Sequence, residues 1–295
     1  MSIELVRYFI NSMSVGGSQL HGVSTVSIER TANPTTLIKK GAPSTTRNWY
    51  KKPSATINYS RFLTNTIYTT VNASSMSQAG GRPTTTIIKV GTIGGGIFQF
   101  DDARLKTLSY NFPNNGNFTE NVTYEGTTLS AGASGANGLV ELNDVSDNQI
   151  RVLRRKNFNM AGSTMPNAVV NGVHLLSIDV SLSINYGNIP TWGSFYTNKS
   201  SYISFPMDVS CTFEILDTGF GSSVSDFSID QIGDNIFTSN LADESIVIAS
   251  GGPTINLGSK NFLSNIERSG GDAGQNNYSI YKVTYKNTNN YFTVS

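Results

Sequence analysis

The stretch Leu176–Leu216, LSIDVSLSINYGNIPTWGSFYTNKSSYISFPMDVSCTFEIL, decides the fold class of this 295-residue chain. Both of its ends alternate apolar with polar residues, and the apolar members are Ile178, Val180, Leu182 and Ile184, then Val209, Cys211, Phe213 and Ile215. Alternation at period two is typical of strands that bury one face. The polar segment between them is far longer than a tight hairpin needs. The stretch is therefore predicted to fold as strand, long loop, strand.

The same unit occurs once before, at Val26–Phe62. There a first apolar strand leads into a polar loop, and Pro53 precedes a second alternating segment. In the later unit Pro206 stands at the corresponding place. The two prolines give an alignment of the halves in which the glycines of the two loops fall one residue apart.

A second cue repeats in the same order. The tripeptide Val-Thr-Tyr ends at Tyr124 in the first half and at Tyr285 in the second, at nearly the same distance from the proline. Two cues in one order indicate an internal duplication. We therefore predict a first β domain at 1–126, a linker or insert at 127–166 and a second β domain at 167–295.

Helix is expected only in short pieces, one in each copy. Asp101–Lys106 starts with an Asp that suits a helix N-cap, and Asp226–Phe237 mixes the helical and strand periods. Pro113–Gly116 contains an Asn-Gly pair and predicts a hairpin turn. Gly126–Gly138 is rich in small residues and is predicted to be a linker. The chain as a whole is predicted to be mainly β.

The residues that usually carry chemistry are sparse. His21 and His174 stand before the first strand of each copy, and no carboxylate or second ligand is spaced to join them in a catalytic or metal site. Cys211 lies on the apolar side of a strand and is predicted to be a core residue. No apolar run is long enough to span a membrane. We expect no enzymatic activity, no cofactor, no metal and no membrane binding by this chain.

Charge divides along the chain although the net charge is only +1. Residues 1–170 hold 16 Lys and Arg against 9 Asp and Glu, a net of +7, while residues 171–295 hold 5 against 11, a net of −6. Opposite signs on two copies of one fold suggest that unlike copies lie side by side. Drift after duplication is the alternative, with each surface merely soluble.

The second strand–loop–strand unit, Leu176–Leu216, resembles part of a known protein family. Its alternating first strand, Gly193, the approach Tyr202–Phe205 and the run that begins at Pro206 resemble strand–loop–strand segments of bacteriophage tail tube proteins. Asn111–Gly126 is similar to the closing hairpin of that family. The resemblance implies two tandem tube domains of β-sandwich or barrel type, each with a short flanking helix.

In this family, six such domains form a ring, their inner strands join into one barrel, and stacked rings conduct DNA into the host. Two domains per chain imply a trimer that makes a pseudo-hexameric ring, or a hexamer that uses one domain for the tube. Other tail proteins, such as sheath, baseplate or terminator, would be further partners. The chain would then belong to the virion tail and assemble in the host bacterial cytoplasm.

The resemblance also implies that the long loops contact the neighbouring ring or subunit. Each loop holds one tryptophan, which either meets such a partner or packs within its own domain. The expected contact residues are Lys39, Lys40, Gly41, Trp49, Trp192, Gly193, Phe195 and Tyr196. The first copy departs from the family pattern, because its loop is lysine-rich and Pro53 is followed by Ser-Ala-Thr.

Two other functions remain open from the sequence. A tail hub or tube-initiator component of the baseplate would use the same duplicated domain once per virion. A carbohydrate-binding tail-fibre module would also be rich in β-structure, Asn and Tyr, and it would bind glycans as an isolated chain.

If the chain forms a tube, its bore is expected to be neutral to acidic, because a dense cationic lining would hold DNA phosphates. The unlike charges of the two halves are expected to meet at subunit contacts. Assembly should then weaken as salt rises from low concentration to the molar range, because screening removes that attraction. Light scattering across a salt series measures this, and assembly that is indifferent to salt would contradict it.

Overall fold

The fold is described from a computed structural model of the chain. The residues described are 10–31, 34–38, 45–50, 54–67, 71–72, 85–92, 96–126, 129–133, 151–166, 169, 174–188, 201–217, 244–269, 279–287 and 291–295.

The prediction of a mainly β chain is confirmed. The described strands, in chain order, are β1 (Ile10–Val15), β2 (Ser18–Gln19), β3 (Val23–Thr31), β4 (Pro34–Ile38), β5 (Thr45–Tyr50), β6 (Ser54–Phe62), β7 (Val71–Asn72), β8 (Thr86–Thr92), β9 (Gly96–Pro113), β10 (Thr119–Gly126), β11 (Leu129–Ala133), β12 (Leu175–Asn188), β13 (Ser201–Asp217), β14 (Glu244–Ala249), β15 (Thr254–Ser269), β16 (Ser279–Asn287) and β17 (Thr293–Val294). A 3₁₀ turn lies at Arg155–Asn157.

Eight of these strands form one antiparallel wall in the order β3-β6-β10-β9-β12-β13-β16-β15. One face of the wall is apolar and buried, because each strand alternates as its sequence predicts. The long strand β9 leaves the wall at its N-terminal half, where it pairs with β8 and β11. The hairpin β1–β2 extends that second layer through β8, and the core lies between the two layers.

The two halves of the wall have the same strand order. In the first half the order is β3-β6-β10-β9, with β8 and β11 attached to the start of β9. In the second half the order is β12-β13-β16-β15, with β14 and β17 attached to the start of β15. The duplication of a domain stays a prediction, and this shared pairing order is the observation that bears on it.

Irregularities of pairing also fall at matching places. In the first strand of each half the register shifts after Val23 and after Leu175. In the last hairpin it shifts opposite Tyr124 and opposite Tyr285, where the Val-Thr-Tyr tripeptides end. The register also shifts where β8 pairs with β9 and, in the second half, where β14 pairs with β15. A β-bulge re-aims a strand, so matching bulges give the two half-walls the same local bends.

The predicted hairpin turn is confirmed at the end of β9. The segment Asn114–Asn117 joins β9 to β10, and Gly116 has a φ of +120°, which an L side chain rarely adopts. A second glycine with a positive φ, Gly258, lies where the pairing of β14 with β15 shifts register. Gly258 has a φ of +69°, and a Cβ there would lie 2.9 Å from the Tyr291 ring.

The predicted short helix at Asp101–Lys106 is wrong. These residues lie in the middle of β9. Asp102 and Arg104 are buried, Ala103 pairs with Thr86 of β8, and Arg104 and Leu105 pair with Glu125 and Tyr124 of β10. Pairing across the sheet therefore outweighs the local capping signal. The second predicted helix, Asp226–Phe237, lies outside the described residues.

The predicted linker at Gly126–Gly138 is also wrong in part, because β11 lies within it and pairs with the start of β9. The basic run that follows at 151–156 is tied to the first half. Arg154 bridges to Asn117 through the backbone, and its Nε donates a hydrogen bond to the Asn117 side chain at 2.9 Å.

Three strand boundaries differ from the sequence prediction. The first long loop contains the hairpin β4–β5, because Pro34–Ile38 and Thr45–Tyr50 can pair locally. The second loop is shorter than predicted, since β12 continues to Asn188 and β13 begins at Ser201. The sequence also predicts a strand at Asn65–Val71, but Asn65 and Thr66 form a bend. The sequence prediction missed β15 entirely.

A buried ion pair lies inside the first half of the wall. Arg61 on β6 and Glu120 on β10 are opposite one another, and the Arg61 Nε donates a hydrogen bond to a Glu120 carboxylate oxygen. Their side chains are 1% and 0% exposed. Tyr110 donates a further hydrogen bond to Glu120 at 3.0 Å. Burial and the Glu120 carboxylate raise the pKa of the Tyr110 phenol, so it remains a donor.

The second half has an apolar pair where the first half has this ion pair. Counting from the matching bulges and tripeptides, Arg61 corresponds to Ile215 and Glu120 to Tyr281. Ile215 and Tyr281 are themselves opposite one another and buried. The fold therefore accepts either chemistry at this place, provided that both partners change together.

We expect Glu120→Gln to lower the free energy of unfolding by about 3–5 kcal/mol, because it leaves the buried Arg61 without its counter-charge. Denaturant unfolding followed by tyrosine and tryptophan fluorescence measures this. The matched control is Glu125→Gln on the same strand, whose partner Lys106 is half exposed at 3.3 Å, and it should cost less than about 1 kcal/mol.

A double variant, Arg61→Ile with Glu120→Tyr, should recover much of the loss, because it copies the apolar pair of the second half. Equal losses for Glu120→Gln and Glu125→Gln would show that the buried ion pair does not have this role.

Candidate assembly surface

The second face of the eight-stranded wall is covered by polar side chains. These residues alternate with the core residues and are matched across the strands by the register. We call this surface the polar face. Phe62, Leu216, Phe262 and Ile280 also lie on it by the same register. Its described polar members include Thr25, Ser27, Glu29, Thr31, Ser54, Thr56, Asn58, Ser60, Thr107, Ser109, Asn111, Thr119, Asn121, Thr123, Glu125, Ser177, Asp179, Ser181, Ser183, Asp208, Ser210, Thr212, Glu214, Asn265, Glu267, Lys282, Thr284 and Lys286.

Side-chain hydrogen bonds cross the seams between the strands of the polar face. Asn58 donates to Ser27 at 3.3 Å and accepts from Thr123 at 2.8 Å. At the centre Asn111 donates to Asp179 at 2.5 Å, which joins the two halves. Further along, pairs of hydroxyl groups meet at 2.8 Å (Ser181 with Ser210) and at 3.0 Å (Thr212 with Thr284). These short side chains give the face a level, hydrated surface.

The polar face carries few cations. Its described acidic residues are Glu29, Glu125, Asp179, Asp208, Glu214 and Glu267. Its described basic residues are Lys282, Lys286 and the buried Arg104 opposite Glu125, with Lys106 reaching it from the bulge of β9. Two of the three lysines are near carboxylates, at 3.3 Å from Glu125 and 3.9 Å from Glu214. A mobile polyanion would therefore find no continuous row of positive charge among these residues.

Among the described residues, the wall ends on each side in an edge with no paired strand beyond it. In the described part of the chain, β3 pairs only with β6. The segment of β15 from Phe262 to Ser269 pairs only with β16. A free edge offers a row of unpaired backbone N–H and C=O groups, which is a template for another strand.

The two halves meet in a joint between β9 and β12. Seven residues of each strand pair there, with Ser109 opposite Ser181 near the middle. The last strand of the first half thus pairs antiparallel with the first strand of the second half. In the shared strand order β9 corresponds to β15, and β12 corresponds to β3. The joint is therefore an example of how the edge of a strand such as β15 can pair with the edge of a strand such as β3.

The loop residues predicted to contact a partner are mostly beyond the described part of the chain. Trp49 lies in β5, opposite Thr35 of β4. The other predicted contact residues lie outside the described residues, and these are Lys39, Lys40, Gly41, Trp192, Gly193, Phe195 and Tyr196. Their role in contacts between rings stays a prediction.

The remaining features of the described chain show little chemistry. Cys211 is fully buried, as predicted. Burial raises the pKa of its thiol, and the negative charge of Asp179 raises it further. An apolar cleft of about 260 Å³ lies at the end of the β9–β10 hairpin, between Phe118, Phe158 and Leu175. Over the described ranges, no three His, Cys, Asp or Glu side chains are close enough to hold a metal ion. Those ranges also hold no helix that is long and apolar enough to cross a membrane.

The edge residues Glu29 and Glu267 were not singled out from the sequence. Glu29 was read only as part of the first strand, and β15 was missed. The signal that marks β15 is alternation through Leu263 and Ile266, which the bulge at Ser264 interrupts.

Comparison with known proteins gives no assignment: no protein-family model matches this sequence, and no curated protein matches it significantly.

Proposed function

We propose that this chain is a structural subunit of a bacteriophage tail tube, and that three copies close into a ring whose bore conducts DNA. The observation that carries the proposal is the eight-stranded wall, which has two half-walls of one strand order and a free edge on each side. The resemblance of the second strand–loop–strand unit to tail tube proteins supplies the particular role.

The number and direction of the strands suit a closed ring. All eight strands alternate in direction, so the first strand of a second copy would lie antiparallel to the last strand of the first. A contact between two different edges is heterologous, and such contacts generate rings when the rotation closes. Closure also removes the free edges, which are an aggregation hazard on an isolated chain.

The expected size of the ring suits DNA. Three copies contribute twenty-four strands, and at about 4.8 Å per strand and a tilt of about 40° the barrel would be about 48 Å wide between backbones. Side chains from both walls take about 10 Å of that width and leave an opening of about 38 Å. A DNA duplex would pass through this opening together with its water and counterions.

The polar face suits the lining of such a bore. The apolar face is already covered by the second layer of the fold, whereas the polar face has no described layer over it. Its hydroxyl and amide groups are hydrated, and its excess of carboxylates avoids tight phosphate binding. The proposal therefore assigns the polar face to the bore.

A tail hub or tube-initiator is the second candidate, because the same wall would also form a single ring that starts a tube. The number of copies per virion separates the two roles. A tube subunit is present in many stacked rings, and an initiator is present in one.

We expect purified protein at high concentration to form rings with a central opening of about 40 Å, and stacks of such rings, in negative-stain electron microscopy. The solution mass of one ring should be three times that of the chain. A protein that remains a monomer at every concentration and salt tested would contradict the proposal. Rings that never stack would favour the initiator.

A further inference from the structure

We infer that β15 of one copy pairs antiparallel with β3 of the next copy, in the register of the β9–β12 joint, so that Glu267 lies opposite Glu29. This inference rests on the proposed ring and specifies the contact by which it closes. The partner is a second copy of this chain.

The matching bulges fix the correspondence between strands. The register shift in the first strand begins at Val23 in β3 and at Leu175 in β12, an offset of 152 residues. The shift in the last strand begins at Leu105 in β9 and at Leu263 in β15, an offset of 158 residues. A bulge sets which side chains face the core. Residues related by these offsets are therefore expected to have the same pairing position and to lie on the same face of the wall.

Applying these offsets to the joint within the chain gives the joint between copies. Ser109 and Ser181 are opposite one another in the internal joint. The residue of β15 that corresponds to Ser109 is Glu267, and the residue of β3 that corresponds to Ser181 is Glu29. By the same rule Asn265 lies opposite Thr31, on the same polar face.

The joint between copies therefore differs from the internal joint in charge. Two small hydroxyl residues meet in the internal joint, whereas two carboxylates would meet between copies. Like charges directly opposite one another weaken a pair of strands. Ring closure would therefore be weaker than the internal joint, and the unlike charges that the sequence predicts at subunit contacts would not meet at this pair.

Each of the two carboxylates accepts a hydrogen bond from a neutral neighbour on its own strand, which brings no opposite charge. Thr31 donates a hydrogen bond to Glu29 at 3.2 Å, and the next residues across β6 and β10 are Thr56 and Glu125. On the other side Asn265 donates to Glu267 at 3.2 Å.

A described cation is opposite Glu267 on the adjacent strand. Lys282 of β16 lies opposite Glu267, but it is also 3.9 Å from Glu214 and half exposed. It is shared between two carboxylates, so it does not cancel the charge of the pair.

The register is tested by cross-linking in the full chain. We expect a chain with both Glu29→Cys and Glu267→Cys to form covalent dimers and trimers on mild oxidation, because directly opposed strand residues are within reach of a disulfide. The register control pairs Ser27→Cys with Glu267→Cys, two residues out of register, and should give at least fivefold less cross-linked product. The unmodified chain, whose Cys211 is buried, should give none.

The charge pair is tested by association at fixed ionic strength. We expect Glu29→Gln and Glu267→Gln each to strengthen association about two- to fivefold at pH 7, as measured by analytical ultracentrifugation. Glu125→Gln lies in the same row of the polar face but two strands from the joint, and it should change association less than either of them. An equal effect of all three substitutions would overturn the charge pair.

The outcomes separate this inference from the proposed function. Rings in the microscope without the Glu29–Glu267 cross-link overturn the register and leave the tube role standing. The cross-link in open chains without rings supports the joint and contradicts the tube. Neither rings nor the cross-link would overturn both.

Discussion

The backbone hydrogen bonds of the eight-stranded wall are the constraint on which the rest of this structure depends. Every strand inside the wall is paired on both sides, and the internal joint between β9 and β12 makes two half-walls into one surface. The last strand of such a wall presents unpaired backbone N–H and C=O groups, so a further strand can always pair with it. The role proposed for this chain follows from that property.

The two faces of the wall have different tasks. The apolar face is closed by the second layer that β9 enters at its N-terminal half, so it stabilises each chain by itself. The polar face gains little from folding alone, because its short polar side chains are hydrated in either state. Its regularity makes sense as a surface that something passes along, and its scarcity of cations fits a passing polyanion.

The two halves show how one pattern of pairing tolerates different chemistry. The Arg61–Glu120 pair in the first half and the Ile215–Tyr281 pair in the second occupy corresponding places, and both are buried. The internal joint and the edges also differ in chemistry at corresponding places, since Ser109 and Ser181 in the joint correspond to Glu267 and Glu29 at the edges. In the proposed ring, differences of this kind would make the internal contact stronger than the contact between copies.

Local pattern was sufficient for much of the fold. Alternation in β6, β10, β12, β13 and β16 needs only the sequence, because a period of two places one set of side chains in the core. The Asn-Gly turn was also readable, since its backbone conformation depends on residues within the turn itself. The burial of Cys211 followed from its place in an alternating run.

The sequence by itself therefore determined that the chain is mainly β, that Val-Thr-Tyr and the long loops recur, and which face of most strands is apolar. Only the tertiary structure decided that Asp101–Lys106 is strand, that β15 exists, that β11 pairs within the predicted linker, and that β9 and β12 join the halves. The physical reason is that these features depend on hydrogen bonds between strands far apart in the chain. Such partners override the local preferences of a segment, and the sequence near that segment does not contain them.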